Sequence, residues 1–232
     1  MTSRTETKKV ARRQQLEREA KLRDAARARA LRNRVLIAVG AAVGVLAVIF
    51  AISTGGGQSS SNSGNFAYQV GSPGPGQPAP PIRLGNTQGG EFDLAAQHGR
   101  SVLLYFQEGL TCQPCWDQLK DLDHATAQLK ALGIGELVSV TSDPLGDLHQ
   151  KASDEGLTTP VLSDPNLTVS QSYSANQYGM MGTSRDGHSF VLVGPDGRIR
   201  WRADYGGSPN YTMYVPVAHL MADIRKGLGR AA

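Results

Sequence analysis

Apolar and β-branched residues recur along the C-terminal two thirds of the chain in runs of strand length. Four runs are predicted as strands: 101–106, 136–140, 189–194 and 198–203. A helix with an apolar stripe is predicted from about Gln113, a second after "SDP" at 142–144, and a third over 216–228. The turn "GPDG" at 194–197 joins the last two strands as an antiparallel hairpin. Because helical crossovers connect parallel strands, this order predicts one α/β domain over residues 80–232, with a central mixed sheet flanked by helices.

The longest uncharged apolar stretch is Val35–Ile52, whose 18 residues are near the lower limit for crossing a bilayer. The 34 residues before it hold 12 basic and 4 acidic side chains, whereas the rest of the chain holds 12 basic and 16 acidic ones. Positive residues stay on the cytoplasmic side. We therefore expect a basic, helical cytoplasmic arm (1–34), a single transmembrane helix (35–52), and a C-terminal part outside the cytoplasmic membrane.

A cleavable signal peptide is the alternative to an anchor, but the leader before the apolar run is long for that purpose. After the apolar run, Gly, Ser, Asn and Pro dominate residues 53–79, which predicts a flexible linker to the domain. Since the basic residues are concentrated ahead of the apolar run and the rest of the chain is acidic, a membrane surface is the expected partner and nucleic acid is not.

The only two cysteines, Cys112 and Cys115, lie where the first predicted strand gives way to a helix. Free backbone N–H groups and the positive end of the helix dipole favour a thiolate at Cys112, and the thiolate is the attacking form. Cys115, one turn further in, is placed to attack a mixed disulfide, and Pro114 presets the first helical turn. The spacing therefore predicts a redox pair, because a disulfide that closes so small a loop contributes little as a structural staple.

The C-x-P-C helix start, "TTPVLSDPN" at 158–166 and "SFVLVGPDGRIRWRADYG" at 189–206 together resemble the thioredoxin-like AhpC/TSA–redoxin superfamily. The most similar branch is its membrane-anchored, extracytoplasmic one, which is typical of bacteria, and the resemblance covers about residues 80–228. It implies a thioredoxin-like fold, an attacking Cys112, a resolving Cys115 and no organic cofactor. The substrates would be protein thiols or disulfides, or peroxide, with electrons exchanged through a membrane donor.

The sequence departs from thioredoxins in two places near the predicted site. Thioredoxins have a cis-proline just before the strand that corresponds to "FVLV", where this chain has His188 and Ser189. That proline helps to dock extended substrate chains, so the resemblance does not carry this way of binding a protein substrate. The buried strand acid of many thioredoxins is replaced by Phe106. Glu108 is the nearest carboxylate, and it is either a proton acceptor for the cysteines or an ordinary exposed loop acid.

The sequence also departs from peroxiredoxins, which use a P-x-x-x-T-x-x-C loop. Counted back from Cys115, the Pro and Thr places hold Glu108 and Cys112, and counted back from Cys112 they hold Tyr105 and Gly109. Neither register fits. Thiol–disulfide exchange is therefore the favoured activity, with a thiol peroxidase of the AhpC/TSA type as its near alternative.

His188 raises a further alternative, a copper site. Sco-type copper chaperones are membrane-anchored, thioredoxin-like proteins with a cysteine pair and a distant histidine before a comparable strand, although their cysteines are spaced C-x-x-x-C. Two thiolates and an imidazole suit soft copper. Under this interpretation Cys112, Cys115 and His188 are the ligands; otherwise His188 tunes the redox pair or fills the place of the cis-proline.

Overall fold

The computed structural model of the protein describes residues 66–229. The predicted arm (1–34), the predicted transmembrane helix (35–52) and the first half of the predicted linker (53–65) lie outside the described residues. Within residues 66–229, no helix combines the length and the hydropathy that crossing a bilayer requires.

The described part of the chain contains a small hairpin and a five-stranded mixed sheet. The strands are β1 (Arg83–Gly85), β2 (Glu91–Asp93), β3 (Val102–Phe106), β4 (Glu136–Thr141), β5 (Val161–Ser163), β6 (Ser189–Val193) and β7 (Ile199–Asp204). The order in the large sheet is β5-β4-β3-β6-β7. Strand β3 is central, parallel to β4 and antiparallel to β6. The predicted mixed sheet and the predicted hairpin, which joins β6 to β7, are thus confirmed.

Helices cover both faces of the sheet. They are α1 (Gln113–His124), α2 (Thr126–Ala131), α3 (Leu145–Asp154), α4 (Thr168–Ser172) and α5 (Val217–Gly227). Helices α1 and α5 pack on the face that carries Leu103 and Tyr105, whereas α4 packs on the face that carries Leu104 and Phe106. Every residue of β3 is buried, as expected for a central strand covered on both sides. The loop that leads to the cysteines therefore starts from a strand that is buried along its whole length.

The folded domain begins earlier than predicted. Gln69 pairs with Asp204 and Pro78 with Arg198, so residues 69–78 run antiparallel along the outer edge of β7. Tyr68 adds edge contacts to the aromatic rings of the core. The second half of the predicted linker is thus part of the domain. It covers a strand edge that would otherwise leave backbone groups unpaired.

Two further features differ from the predicted elements. The helix predicted from about Gln113 ends at His124, and Ala125 separates it from the short helix α2. The segment 158–166, quoted above for its resemblance, contributes the short edge strand β5, which pairs in parallel with β4. A strand of three residues, two of them apolar, is too short to be recognised by periodicity alone.

Candidate redox site

Cys112 is the residue that caps the amino end of α1, as predicted. Its backbone N–H donates to the Gly109 carbonyl (2.9 Å), which closes a turn between β3 and the helix. No side chain caps this helix end, its first turn contains no acidic residue, and Pro114 lies in that turn. Pro114 has no N–H, and the N–H groups of Cys115 and Trp116 donate to the Cys112 carbonyl (3.0 and 3.3 Å). The positive end of the helix dipole is therefore what acts on the Cys112 sulfur, with no acidic side chain of the first turn to oppose it.

The two cysteines form a disulfide, and both are buried: Cys112 is 6% exposed and Cys115 is fully enclosed. They make a separate small apolar cluster with a third sulfur-containing residue, Met213, which is 9% exposed. Met213 lies in the loop between β7 and α5. The sequence analysis assigned it no role, since nothing local marks a residue that reaches the cysteines from 98 positions further along the chain.

The loop that leads to Cys112 is held by a buried carboxylate. Asp143 Oδ2 accepts from the Leu110 N–H (2.8 Å) and from the Thr141 hydroxyl (3.0 Å), while its Oδ1 pairs with Arg185 (2.8 Å). Gly109 has a positive φ of 82°, and a Cβ there would collide with the Asp143 carboxylate. The approach to the cysteines is thus built for glycine at this position and is fixed against the end of β4.

His188 lies directly before β6, in the place predicted, and its side chain is fully buried. Its Nδ1 is 3.1 Å from the Tyr105 hydroxyl, which donates to the Cys115 carbonyl (3.2 Å). Desolvation lowers the pKa of His188 to about 3, so the ring is neutral. Tyr105 has one proton, and the Cys115 bond uses it. The arrangement therefore places the imidazole proton on Nδ1, donating to Tyr105.

The main chain of His188 is also fully engaged. Its N–H donates to the Tyr178 carbonyl (2.8 Å), and its carbonyl accepts from Tyr205 (2.9 Å) and Gly206 (3.1 Å). Neither group is free to pair with an extended substrate. The sequence-based expectation that this position does not dock a chain in the thioredoxin manner agrees with these bonds.

Glu108 is neither an exposed loop acid nor placed by any contact against the cysteines. Its side chain is buried, and Oε1 accepts from the backbone N–H groups of Met180 and Met181. Arg185 in turn donates to the Glu108 carbonyl (3.1 Å). Glu108 therefore anchors the loop around residue 180, and the interpretation of Glu108 as an exposed acid was wrong.

The predicted copper set does not assemble. Across residues 66–229, no three side chains of His, Cys, Asp or Glu are grouped so that they could hold a metal ion. His188 is connected to the cysteines only through the Tyr105 hydroxyl and the main chain of Cys115. The alternative copper set of Cys112, Cys115 and His188 is therefore not assembled in this oxidised structure, where the two cysteine sulfurs are bonded to each other.

Asp186, next to the loop that carries Arg185, is a buried acid that the sequence did not single out. Asp186 is fully enclosed, and neither of its carboxylate oxygens has a hydrogen-bond partner among the described residues. The nearby Ser170 hydroxyl donates to Asp164 instead (2.7 Å). Desolvation, together with the carboxylates of Asp164 and Asp143, raises the pKa of Asp186 well above its usual value. The folded domain thus favours the neutral, protonated form of this carboxyl group.

A mixed sheet flanked by helices, with a C-x-x-C pair at the start of the helix after its central strand, defines the thioredoxin-like class of redox proteins. The AhpC/TSA family profile matches residues 75–202. The chain belongs to this family, within the thioredoxin-like AhpC/TSA redoxin superfamily. Putative peroxiredoxins from two Mycobacterium tuberculosis strains are each 31% identical over 130 residues, which cover 54% of this chain and 81% of theirs.

Solved structures show the same fold. The peroxidoxin BcpB of Mycobacterium tuberculosis superposes with a TM-score of 0.55 at 16% identity, over 66% of this chain and 96% of that one. The reduced 2-Cys peroxiredoxin of Plasmodium vivax gives a TM-score of 0.55 at 19% identity, over 66% and 84%. At these identities the likeness extends to the fold, and the chemistry has to be argued from this chain's own residues.

Proposed function

We propose that the protein is a thiol–disulfide oxidoreductase whose redox couple is Cys112 and Cys115. The observation that carries this proposal is the placement of Cys112 at an uncapped helix start, with its sulfur already bonded to Cys115 one turn inside. A sulfur at this point is stabilised as a thiolate by the positive end of the helix dipole, whether it attacks a substrate or leaves a disulfide.

The exchange has two steps that balance. In the reducing direction, the Cys112 thiolate bonds to one sulfur of a substrate disulfide, and the other substrate sulfur leaves and takes up a proton. Cys115 then loses its proton and attacks Cys112, which forms the internal disulfide and releases the second substrate thiol. Two electrons pass from the pair to the substrate, and the reverse sequence oxidises a dithiol. The buried position of Cys115 confines it to the second step.

A thiol peroxidase is the second candidate, and membership of the AhpC/TSA family favours it. In that reaction the Cys112 thiolate attacks a peroxide oxygen, which yields a sulfenic acid and water or an alcohol, and Cys115 condenses with the sulfenic acid. The site lacks the threonine that peroxiredoxins use. In the Cys112 register that place is Gly109, where Asp143 leaves no room for a side chain. Disulfide exchange is therefore the activity that these residues favour.

We further propose that the domain works outside the cytoplasmic membrane, attached by residues 35–52 with the N-terminus inside. The support is the uncharged apolar run and the excess of basic residues before it. In cells that express the full chain, a membrane-impermeant maleimide should label Cys112 after mild reduction, without lysis. Labelling only after lysis would overturn this location.

Trapping of the mixed disulfide tests the activity. The full-length Cys115→Ser variant should accumulate a Cys112-linked adduct with a model disulfide peptide, and Cys112→Ser should form none. In a parallel experiment, hydrogen peroxide replaces the peptide. If peroxide oxidises the reduced wild type at a higher rate than the disulfide peptide does, the peroxidase is favoured. Equal adduct formation by both variants would overturn the assignment of roles. The midpoint potential then gives the direction, since thioredoxin, a reductant, lies near about −270 mV and DsbA, an oxidant, near about −120 mV.

A further inference from the structure

Met213 covers the proposed redox couple. Among residues 66–229, it is the one residue that shares the buried cluster of the two cysteines. The loop that carries it, residues 205–216, is called the cover loop below. The loop follows β7 and ends where α5 begins, so Met213 approaches the disulfide from a part of the chain that is independent of the C-x-x-C helix.

Two hydrogen bonds fasten the cover loop to the same helix that carries the cysteines. The Val215 N–H donates to the buried Gln118 side chain (2.6 Å), and the Tyr214 hydroxyl donates to Asp121 (2.5 Å). The bond to Asp121 raises the pKa of Tyr214 to about 12, so its hydroxyl keeps its proton at ordinary pH. On the other side, the Thr212 N–H is held by the Tyr205 carbonyl (3.1 Å). Met213 is thus positioned by bonds on both flanks.

Cys112 is only 6% exposed and Met213 belongs to its buried cluster, so a substrate that bonds to the Cys112 sulfur must contact or displace Met213. If polar groups replace Met213, a methionine side chain loses its burial and the disulfide loses its apolar cover. If an apolar substrate side chain takes the place of Met213, that side chain is buried instead and the disulfide keeps an apolar cover. The engaged main chain of His188 offers no strand-like docking at this point, so side-chain contact is what remains for recognition.

We infer that Met213 is a specificity-determining residue that selects protein thiols and disulfides flanked by apolar side chains over small polar ones. This inference rests on the proposed exchange activity. For the oxidised protein, a substrate thiolate attacks Cys112, the bond between Cys112 and Cys115 breaks, and Cys115 takes up a proton. The second substrate thiol loses its proton and attacks the mixed disulfide, and Cys112 leaves. The substrate dithiol is oxidised by two electrons and the pair is reduced.

The test uses the oxidised full chain and two dithiol peptides that differ only in whether leucine or serine flanks the cysteines. Trp116 is adjacent to Cys115 in the sequence. Its fluorescence in a stopped-flow experiment reports reduction of the Cys112–Cys115 disulfide in a single turnover, without a recycling enzyme. For the wild type, the leucine peptide should react about tenfold or more faster, the factor expected from part of a methionine's burial. In Met213→Ala, the serine peptide should speed up and the ratio should fall towards one.

Met180→Ala is the matched control, since Met180 is exposed and lies outside the sulfur cluster; it should keep the wild-type ratio. Tyr214→Phe should raise both rates at an unchanged ratio, whereas Tyr211→Phe, in the same loop without that bond to α1, should raise neither. A wild type that reacts equally with both peptides, or a Met213→Ala ratio equal to that of the wild type, overturns the inference. A wild type that reacts with neither peptide overturns the proposed exchange activity itself.

Discussion

Replacing Tyr105 by phenylalanine should destabilise the domain more than the loss of one hydroxyl usually does. The hydroxyl lies between His188 Nδ1 (3.1 Å) and the Cys115 carbonyl (3.2 Å), and all three residues are fully buried. Two hydrogen bonds are lost, at about 0.5–1.5 kcal/mol each, and a buried imidazole N–H is left without an acceptor, at about 1–3 kcal/mol. We expect a total of about 2–6 kcal/mol.

Denaturant unfolding of the oxidised protein measures this loss directly, and in a domain of this size the midpoint temperature of thermal unfolding should fall by about 4–24 °C. Tyr173→Phe is the matched control. Tyr173 is also buried, but its hydroxyl makes a single bond, to the Pro80 carbonyl (2.7 Å), and the change should cost about 0.5–1.5 kcal/mol. If Tyr105→Phe lowers the free energy of unfolding by no more than Tyr173→Phe does, the hydrogen bonds of the Tyr105 hydroxyl to His188 and Cys115 do not stabilise the domain as proposed.

Three further predictions concern the groups around the site. Because the pKa of Asp186 is raised, the folded state retains a proton that the unfolded state releases above its usual value of 3.8, so stability falls as pH rises. Asp186→Asn should therefore stabilise the domain more at pH 8 than at pH 4 in urea unfolding, and an equal effect at both pH values would contradict the raised pKa. The pKa of His188 is lowered to about 3 from 6.5, so the contribution of the neutral ring to folding stability is lost as pH falls between those values. The difference in unfolding free energy between wild type and His188→Phe should therefore narrow from pH 7 to pH 4. A constant difference would contradict the neutral ring. Gly109→Ala should lower the free energy of unfolding by at least about 2 kcal/mol, because the new side chain is strained at a left-handed φ and also collides with Asp143. An unchanged unfolding midpoint would show that Asp143 does not fix the loop at this position.

The sequence predicted those features that depend on local spacing. The position of Cys112 at a helix start followed from an apolar strand, a short approach and C-x-P-C, and the hairpin after β6 followed from "GPDG". What it missed depends on distant contacts. Met213 reaches the cysteines across the domain, and Glu108 is buried because the loop at Met180 closes over it.

The domain border shows the same limit. A stretch rich in Gly, Ser and Pro is typical of a linker, yet its second half pairs with the edge of β7. The decisive factor is an unpaired strand edge elsewhere in the fold, which composition does not reveal. The copper alternative shows this limit as well. His188 lies at the position that the sequence predicted, but its ring is turned to Tyr105, a contact that the sequence does not reveal.

The selective reactivity of the two sulfurs tests the account most directly. The reduced full-length protein is alkylated with iodoacetamide at pH 6 and pH 8.5, and mass spectrometry assigns the label to each cysteine. The account predicts that Cys112 is alkylated first and within a few-fold of the same rate at both pH values, while Cys115 stays protected. If both cysteines react alike and slow by about 150-fold at pH 6, as the thiolate fraction of a free cysteine dictates, the helix start does not activate Cys112.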